Sequence, residues 1–206
     1  MNDDNLGQSI TEQSFAIIDR EMGSNHPFNP AEYAIARRVI HSTADFEFVQ
    51  ALRFSPGAIE GAIAALKNRV PIITDVRMVK QGIASQVART FNNPLVCALE
   101  WASVALPGKT RTETGMLAAA REYPNGIFAI GNAPTALLAL CSLIREKAIS
   151  PSLAIGVPVG FVSVVESKAV LAETAVPQIR VEGRKGGSPV AAAIVNALLI
   201  LAEEAG

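Results

Sequence analysis

Hydrophobic positions recur along this chain in two alternating rhythms. Short apolar runs, Ile72 to Val76, Leu95 to Leu99, Ile127 to Ile130, Leu153 to Val157 and Ile179 to Val181, read as strands buried on both faces. Stretches with apolar residues at helical spacing follow them: Met78 to Arg89, Thr112 to Tyr123, Thr135 to Lys147, Ser167 to Thr174 and Pro189 to Glu203. Strand then helix, repeated, is the pattern of a parallel sheet covered on both sides. Three helices precede this series. Ser9 and Glu12 fit a capping box and Gly23 a left-handed stop, which predicts a helix over Ile10 to Met22. Asn29-Pro30-Ala31-Glu32 opens a second helix that runs through Arg37, Arg38 and His41, and Ser55-Pro56 opens a third from Ala58 to Lys67. The expected architecture is a three-layer α/β/α fold with a central, mostly parallel five-stranded sheet plus added N-terminal helices. No repeat, charge run or low-complexity linker interrupts it, so residues 1–206 are expected to form a single domain.

Composition narrows the functional classes. Half of the 206 residues are hydrophobic and 18% are charged, enough apolar material for a sizeable core. Lys and Arg number 18 against 19 Asp and Glu, so no bulk positive charge is available to hold a phosphate backbone, and a nucleic-acid partner is not expected. The longest near-apolar segment, Val190 to Ala202, carries Asn196 and is shorter than the roughly 20 residues a bilayer span requires, so no membrane association is expected. The start, Met-Asn-Asp-Asp-Asn-Leu, lacks the basic and then apolar stretch of a secretory signal, and a cytoplasmic location is expected. Cys97 and Cys141 sit in apolar runs without metal-ligand or redox-pair spacing.

In sheets of this kind, ligands settle beyond the carboxyl ends of the strands, where helix N-termini direct free backbone donors. The loops expected there carry Asp75, Gly131-Asn132, Gly156-Val157-Pro158-Val159-Gly160 and Gly183-Arg184-Lys185-Gly186-Gly187-Ser188. The last of these lacks the spacing of a phosphate loop, the dinucleotide glycine fingerprint is absent, and so are the nucleophile elbow and the two-histidine zinc helix. A nucleotide-binding α/β enzyme is therefore a weakly supported alternative, and no metal site is expected.

Two histidines limit the choice of a proton carrier. His26 precedes a proline in a loop, whereas His41 follows Arg37 and Arg38 by four and three residues, on the same helical face as both guanidinium groups. A histidine in the last turn of a helix is also favoured by the macrodipole alone. Ser14 can hydrogen-bond a ligand or its own helix backbone, and Arg111 can hold a carboxylate bidentately or stand solvated.

Read together, the segments Ser14-Phe15-Ala16-Ile17-Ile18, Arg38-Val39-Ile40-His41, Ala129 to Leu137, Gly156 to Val162, Glu166-Ser167-Lys168 and Gly183 to Ser188 resemble the precorrin-8X methylmutase family, including its cobalt-precorrin-8 counterpart. The likeness runs from Ser14 to about Asn196. It implies an isomerase that moves a methyl group from C-11 to C-12 of a tetrapyrrole polycarboxylate by a [1,5]-sigmatropic shift, with no cofactor. It also implies that His41 is the acid, that Ser14 and Arg38 bind substrate together with Arg111 and Asn132, and that the protein is a homodimer with the site near the subunit interface. After His41 the chain reads Ser42-Thr43-Ala44-Asp45, where a glycine precedes the aspartate in many members, so the local backbone is expected to differ. A non-catalytic tetrapyrrole carrier with the same basic pocket is the alternative.

Overall fold

Alternation along each strand decides which side of the sheet every side chain joins. In β4 (Ile127–Ile130), Ile127 and Ala129 enter one hydrophobic cluster while Phe128 and Ile130 enter the other. In β5 (Leu153–Gly156), Leu153 and Ile155 face the first cluster and Ala154 the second. With a period of two and both faces apolar, such strands must lie between two helical layers. The computed structural model describes residues 3–206, with side chains from residue 9 onward.

The remaining strands are β1 (Leu52–Phe54), β2 (Ile72–Thr74), β3 (Leu95–Cys97) and β6 (Gln178–Val181). They form a six-stranded sheet in the order β1-β6-β5-β4-β2-β3, all parallel except β1, which pairs antiparallel with β6 through Leu52 opposite Val181 and Phe54 opposite Ile179. The five expected strands are present, and the count is six because β1 was not anticipated. Leu-Arg-Phe is three residues long with a single polar position, too short to show a period, and its burial comes from pairing with β6.

The helices are α1 (Asp3–Met22), α2 (Pro30–Thr43), α3 (Phe48–Ala51), α4 (Ala58–Lys67), α5 (Arg77–Arg89), α6 (Arg111–Glu122), α7 (Pro134–Arg145), α8 (Val164–Ala172) and α9 (Ser188–Glu204). Helix α9 packs against α2, α4 and α5 on one side of the sheet; α6, α7 and α8 pack on the other, with a 3-10 turn at Ala98–Trp101 beneath α6. Helix α1 lies outside α2. The expectation of a capping box at Ser9 is not met. The helix is already under way from Asp3, Ser9 lies in its interior, and the Ser9 hydroxyl accepts from Gln13 Nε2 at 3.2 Å. Gly23 does stop α1 with φ 61°. Helix α2 has the anticipated start: Asn29 Oδ1 accepts from the N–H groups of Ala31 and Glu32, each at 3.0 Å, and Glu32 accepts from the Asn29 N–H at 3.0 Å.

Loops after β2, β4, β5 and β6 share one rim of the sheet. The Gly187 N–H donates to the Val157 carbonyl at 2.8 Å and the Gly160 N–H to the Arg184 carbonyl at 3.2 Å, which knits the β5–α8 and β6–α9 loops together. Gly186 (φ 149°) passes so close to Val157 that a Cβ there would stand 2.2 Å from its carbonyl oxygen.

Candidate active site

Helices α1 and α2 run antiparallel, and a four-residue ladder on each joins them. On α1, Phe15 and Asp19 face Tyr33, Arg37 and His41 of α2. The Tyr33 hydroxyl donates to Asp19 at 2.6 Å, Arg37 pairs with Asp19 at 3.0 Å, and the Arg37 guanidinium sits 4.4 Å from the centre of the Phe15 ring. The edge of Phe15 meets His41 with centroids 5.3 Å apart. Burial first, and then the neighbouring Asp19, push the Tyr33 phenol up to about 12. The ladder thus consumes Arg37 internally and fixes the imidazole from one side by an apolar ring.

His41 opens on its other side into a cleft of about 290 Å³ lined by Ser14, Ile17, Ile18, Glu21, Ile40, Ala44 and Phe46. The exposed imidazole and the serine hydroxyl therefore meet at one cavity. Ser14 Oγ donates to the Ile10 carbonyl at 2.9 Å, so its proton is spent within the helix and its lone pairs remain for a ligand donor. Arg38 stands 5.7 Å from the same Phe15 ring but lines a neighbouring groove between α2 and α9, with Ala197, Leu201 and Glu204. Burial, followed by repulsion from Arg37, lowers the Arg38 guanidinium below its ordinary value. The shared helical face read from the sequence is thus split: Arg37 is neutralised by Asp19, and Arg38 points to the adjoining groove.

The turn after α2 connects this cleft to the sheet rim. Ala44 closes the helix in a left-handed conformation (φ 53°, ψ 30°), the one a glycine takes without strain, so alanine here keeps a glycine-like backbone. Asp45 next to it pairs with Lys185 at 2.6 Å, and Lys185 also reaches Glu47 at 2.9 Å. The Lys185 bond, and then the Glu47 N–H, hold the Asp45 carboxyl below the usual carboxylate range.

Arg111 and Asn132 sit farther along the rim. Arg111 is the first residue of α6, capped by Thr110, whose hydroxyl accepts from the Glu113 N–H at 3.1 Å. Its guanidinium donates from Nε to the Ala102 carbonyl at 3.2 Å, which fixes the arginine against the 3-10 turn. The Thr110 and Thr135 hydroxyls, 2.9 Å apart, bring the start of α6 to the start of α7, where Asn132 is exposed. Among the described residues no hydrogen bond or ion pair links Arg111 or Asn132 directly to the His41 cleft. The backbone donors at the start of α7, expected to hold an acidic ligand, are already taken. The buried Asp75 carboxylate accepts from the N–H groups of Gly131 (3.1 Å), Asn132 (2.7 Å), Ala133 (2.7 Å) and Val76 (3.0 Å). Burial holds the Asp75 carboxyl above the usual carboxylate range, against the donors that pull it down.

Among the described residues no group of three or more His, Cys, Asp or Glu side chains is placed to hold a metal ion, and no helix is long and apolar enough to cross a membrane. A model of the precorrin-8X methylmutase family matches residues 9–201, which include both ladders, the cleft and the whole rim. The chain belongs to the precorrin-8X methylmutase family. The cobalt-precorrin-8 methylmutase of Synechocystis is 54% identical, with 96% of this chain and 97% of that one aligned. The precorrin-8X methylmutase of Pseudomonas aeruginosa is 41% identical over 93% and 94% of the two chains. The crystal structure of the precorrin-8X methyl mutase from Thermus thermophilus superimposes with a TM-score of 0.86 at 42% identity, covering 96% of this chain and 99% of that one.

The two candidates offered by resemblance, Ser14 and His41, line one cavity in the structure, and the residues that pack around them were not anticipated. Phe15 and Asp19 are four apart, as are Tyr33, Arg37 and His41; that doubled spacing was the available signal for the ladder. Nothing local marked Lys185 as the partner of Asp45, because 140 residues separate them.

Proposed function

We propose that this protein is an isomerase of cobalamin biosynthesis that moves the C-11 methyl group of precorrin-8X, or of its cobalt form, to C-12. The observation that supports it most is His41 opening, beside Ser14, into an otherwise largely apolar cleft in a chain matched to the family over residues 9–201. In the [1,5]-sigmatropic shift the bond from C-11 to the methyl carbon breaks as the bond to C-12 forms, and the ring double bonds relocate. No atom enters or leaves, so no cofactor is needed. His41 lends a proton to the ring C nitrogen, which draws electron density toward that nitrogen and makes the conjugated ring carbons more receptive to the migrating methyl, an effect worth roughly two to four powers of ten in rate. Ser14 holds the macrocycle in the cleft and Arg38 receives an acid from the adjoining groove, with Arg111 and Asn132 as receptors for peripheral acids along the rim.

A tetrapyrrole polycarboxylate is larger than the ligands usually enclosed by pockets of roughly 300–1,000 Å³, and the cleft offers about 290 Å³. A second copy of the chain completes the enclosure in our reading. The rim loop after β5 supplies an apolar contact surface, with Phe161 85% and Val162 82% exposed.

Anaerobic incubation of the protein with precorrin-8X, and separately with its cobalt form, tests the proposal through the visible spectrum of the corrin product. Wild type converts at least one form, and His41→Ala turns over about 10²–10⁴ times more slowly while binding either form almost as tightly. Folded wild type that binds both forms and converts neither is a carrier, and the methylmutase reading is then wrong.

A further inference from the structure

Lys168 on α8 is a charged side chain only 3% exposed, and among the described residues it forms no ion pair. Its ammonium donates to the Gly183 carbonyl at 2.9 Å and to the Lys185 carbonyl at 2.6 Å. The carbonyl between them, that of Arg184, accepts from the Gly160 N–H at 3.2 Å. Three consecutive peptide oxygens of the β6–α9 loop are therefore held from the protein side. A backbone pinned in this way leaves the Arg184 side chain facing outward, where it is exposed and lies 5.7 Å from the ring centre of Phe161. The two flanking cations of the loop differ in use: Lys185 is anchored to Asp45 and Glu47 at the turn beyond His41, while Arg184 makes no ion pair among the described residues.

An ammonium buried without a carboxylate opposes folding, since its hydration is lost and two neutral carbonyls return only part of it. A neutral apolar side chain of similar length would fill the same space at lower cost. A charge kept under those terms points to a use other than stability. We propose that Lys168 is a positioning residue whose buried ammonium clamps the 183–185 backbone and so presents Arg184 at the rim to receive a substrate carboxylate. The clamped loop is also tied, through the Lys185–Asp45 pair, to the turn that follows His41. Its functional half rests on the methylmutase reading, and its structural half does not.

The test uses Lys168→Met, Arg184→Met and the double variant, each compared with wild type for thermal midpoint, for trypsin cleavage after Arg184 or Lys185 identified by mass spectrometry, and for KM and kcat. Lys168→Met keeps or raises the thermal midpoint, yet its loop is cut about tenfold faster because local opening no longer breaks the clamp. Each single variant raises KM by about tenfold with kcat changed by less than about threefold, and the double variant goes no further, since both remove the same contact. Unchanged cleavage, or single-variant effects on KM that multiply in the double, overturns the proposal. A residue needed only for folding would instead lower the midpoint and leave the loop no more open below it. If Lys168→Met does not fold, Lys168→Gln, which retains an N–H donor, is judged by the same measurements. Should wild type bind but not convert the tetrapyrrole, the methylmutase reading fails alone, and the cleavage rates together with tetrapyrrole dissociation constants still decide the clamp.

Discussion

Ala44 and Lys168 each sit in a conformation or environment that their chemistry resists. A left-handed alanine costs about 1–2 kcal/mol against the right-handed form, offset in part by the greater freedom a glycine would have in the unfolded chain. Ala44→Gly is accordingly expected to stabilise the protein by about 0.5–1 kcal/mol, read as a rise in urea midpoint, without moving the backbone of the His41 turn. For Lys168, burial lowers the ammonium from its ordinary 10.5 to about 8. Between those values the unfolded chain holds the proton and the folded chain has lost it, so unfolding takes up protons and stability rises with pH. Relative to Lys168→Met, wild type should therefore be at its weakest below pH 8 and gain through pH 8 to 10; a difference in urea stability that stays flat over that range contradicts the burial of the charge. His41 and Ser14, candidates by residue type and family likeness, line one cleft. The sequence could not show that Asp19 consumes Arg37, since an ion pair between helices depends on how they pack.

At the level of elements, the caps that use local chemistry were readable and those set by distant contacts were not. Asn29-Pro30-Ala31-Glu32 contains its own hydrogen-bond partners and starts α2 as expected. Ser9-x-x-Glu12 has the same form inside a continuing helix, where the preceding residues keep the backbone helical and the cap has no function. Strand β1 shows the opposite case, a segment made extended by its neighbour β6 rather than by its own pattern. Asp75 links elements in a further way, closing the end of β2 against the start of α7 with four N–H bonds. Asp75→Asn places an amide N–H₂ among donors and leaves buried groups unmatched, a loss of about 2–3 kcal/mol by chemical denaturation. Arg111 and Asn132 flank that junction, so the same variant should weaken substrate binding more than it changes kcat.

For the molecule as a whole, the two hydrophobic clusters were legible from strands apolar on both faces, and the assembly state was not, because one chain does not encode its partner's position in any local pattern. If the chain dimerises as proposed, the exposed Phe161 and Val162 are the apolar rim surface available to the contact. Val162→Asp, on that exposed surface, should then sediment as a monomer in analytical ultracentrifugation and lose most methylmutase activity while unfolding cooperatively; a dimer with full activity places the contact elsewhere. Helix α9 has a different consequence. Eleven of its 17 residues are buried, against α2, α4 and α5, yet it follows every other described element along the chain. Without α9, the sides of those three helices that it covers have no other partner of comparable extent. A chain cut before Ser188 is therefore expected to collapse into an aggregation-prone intermediate rather than a smaller folded domain, read as light scattering on refolding.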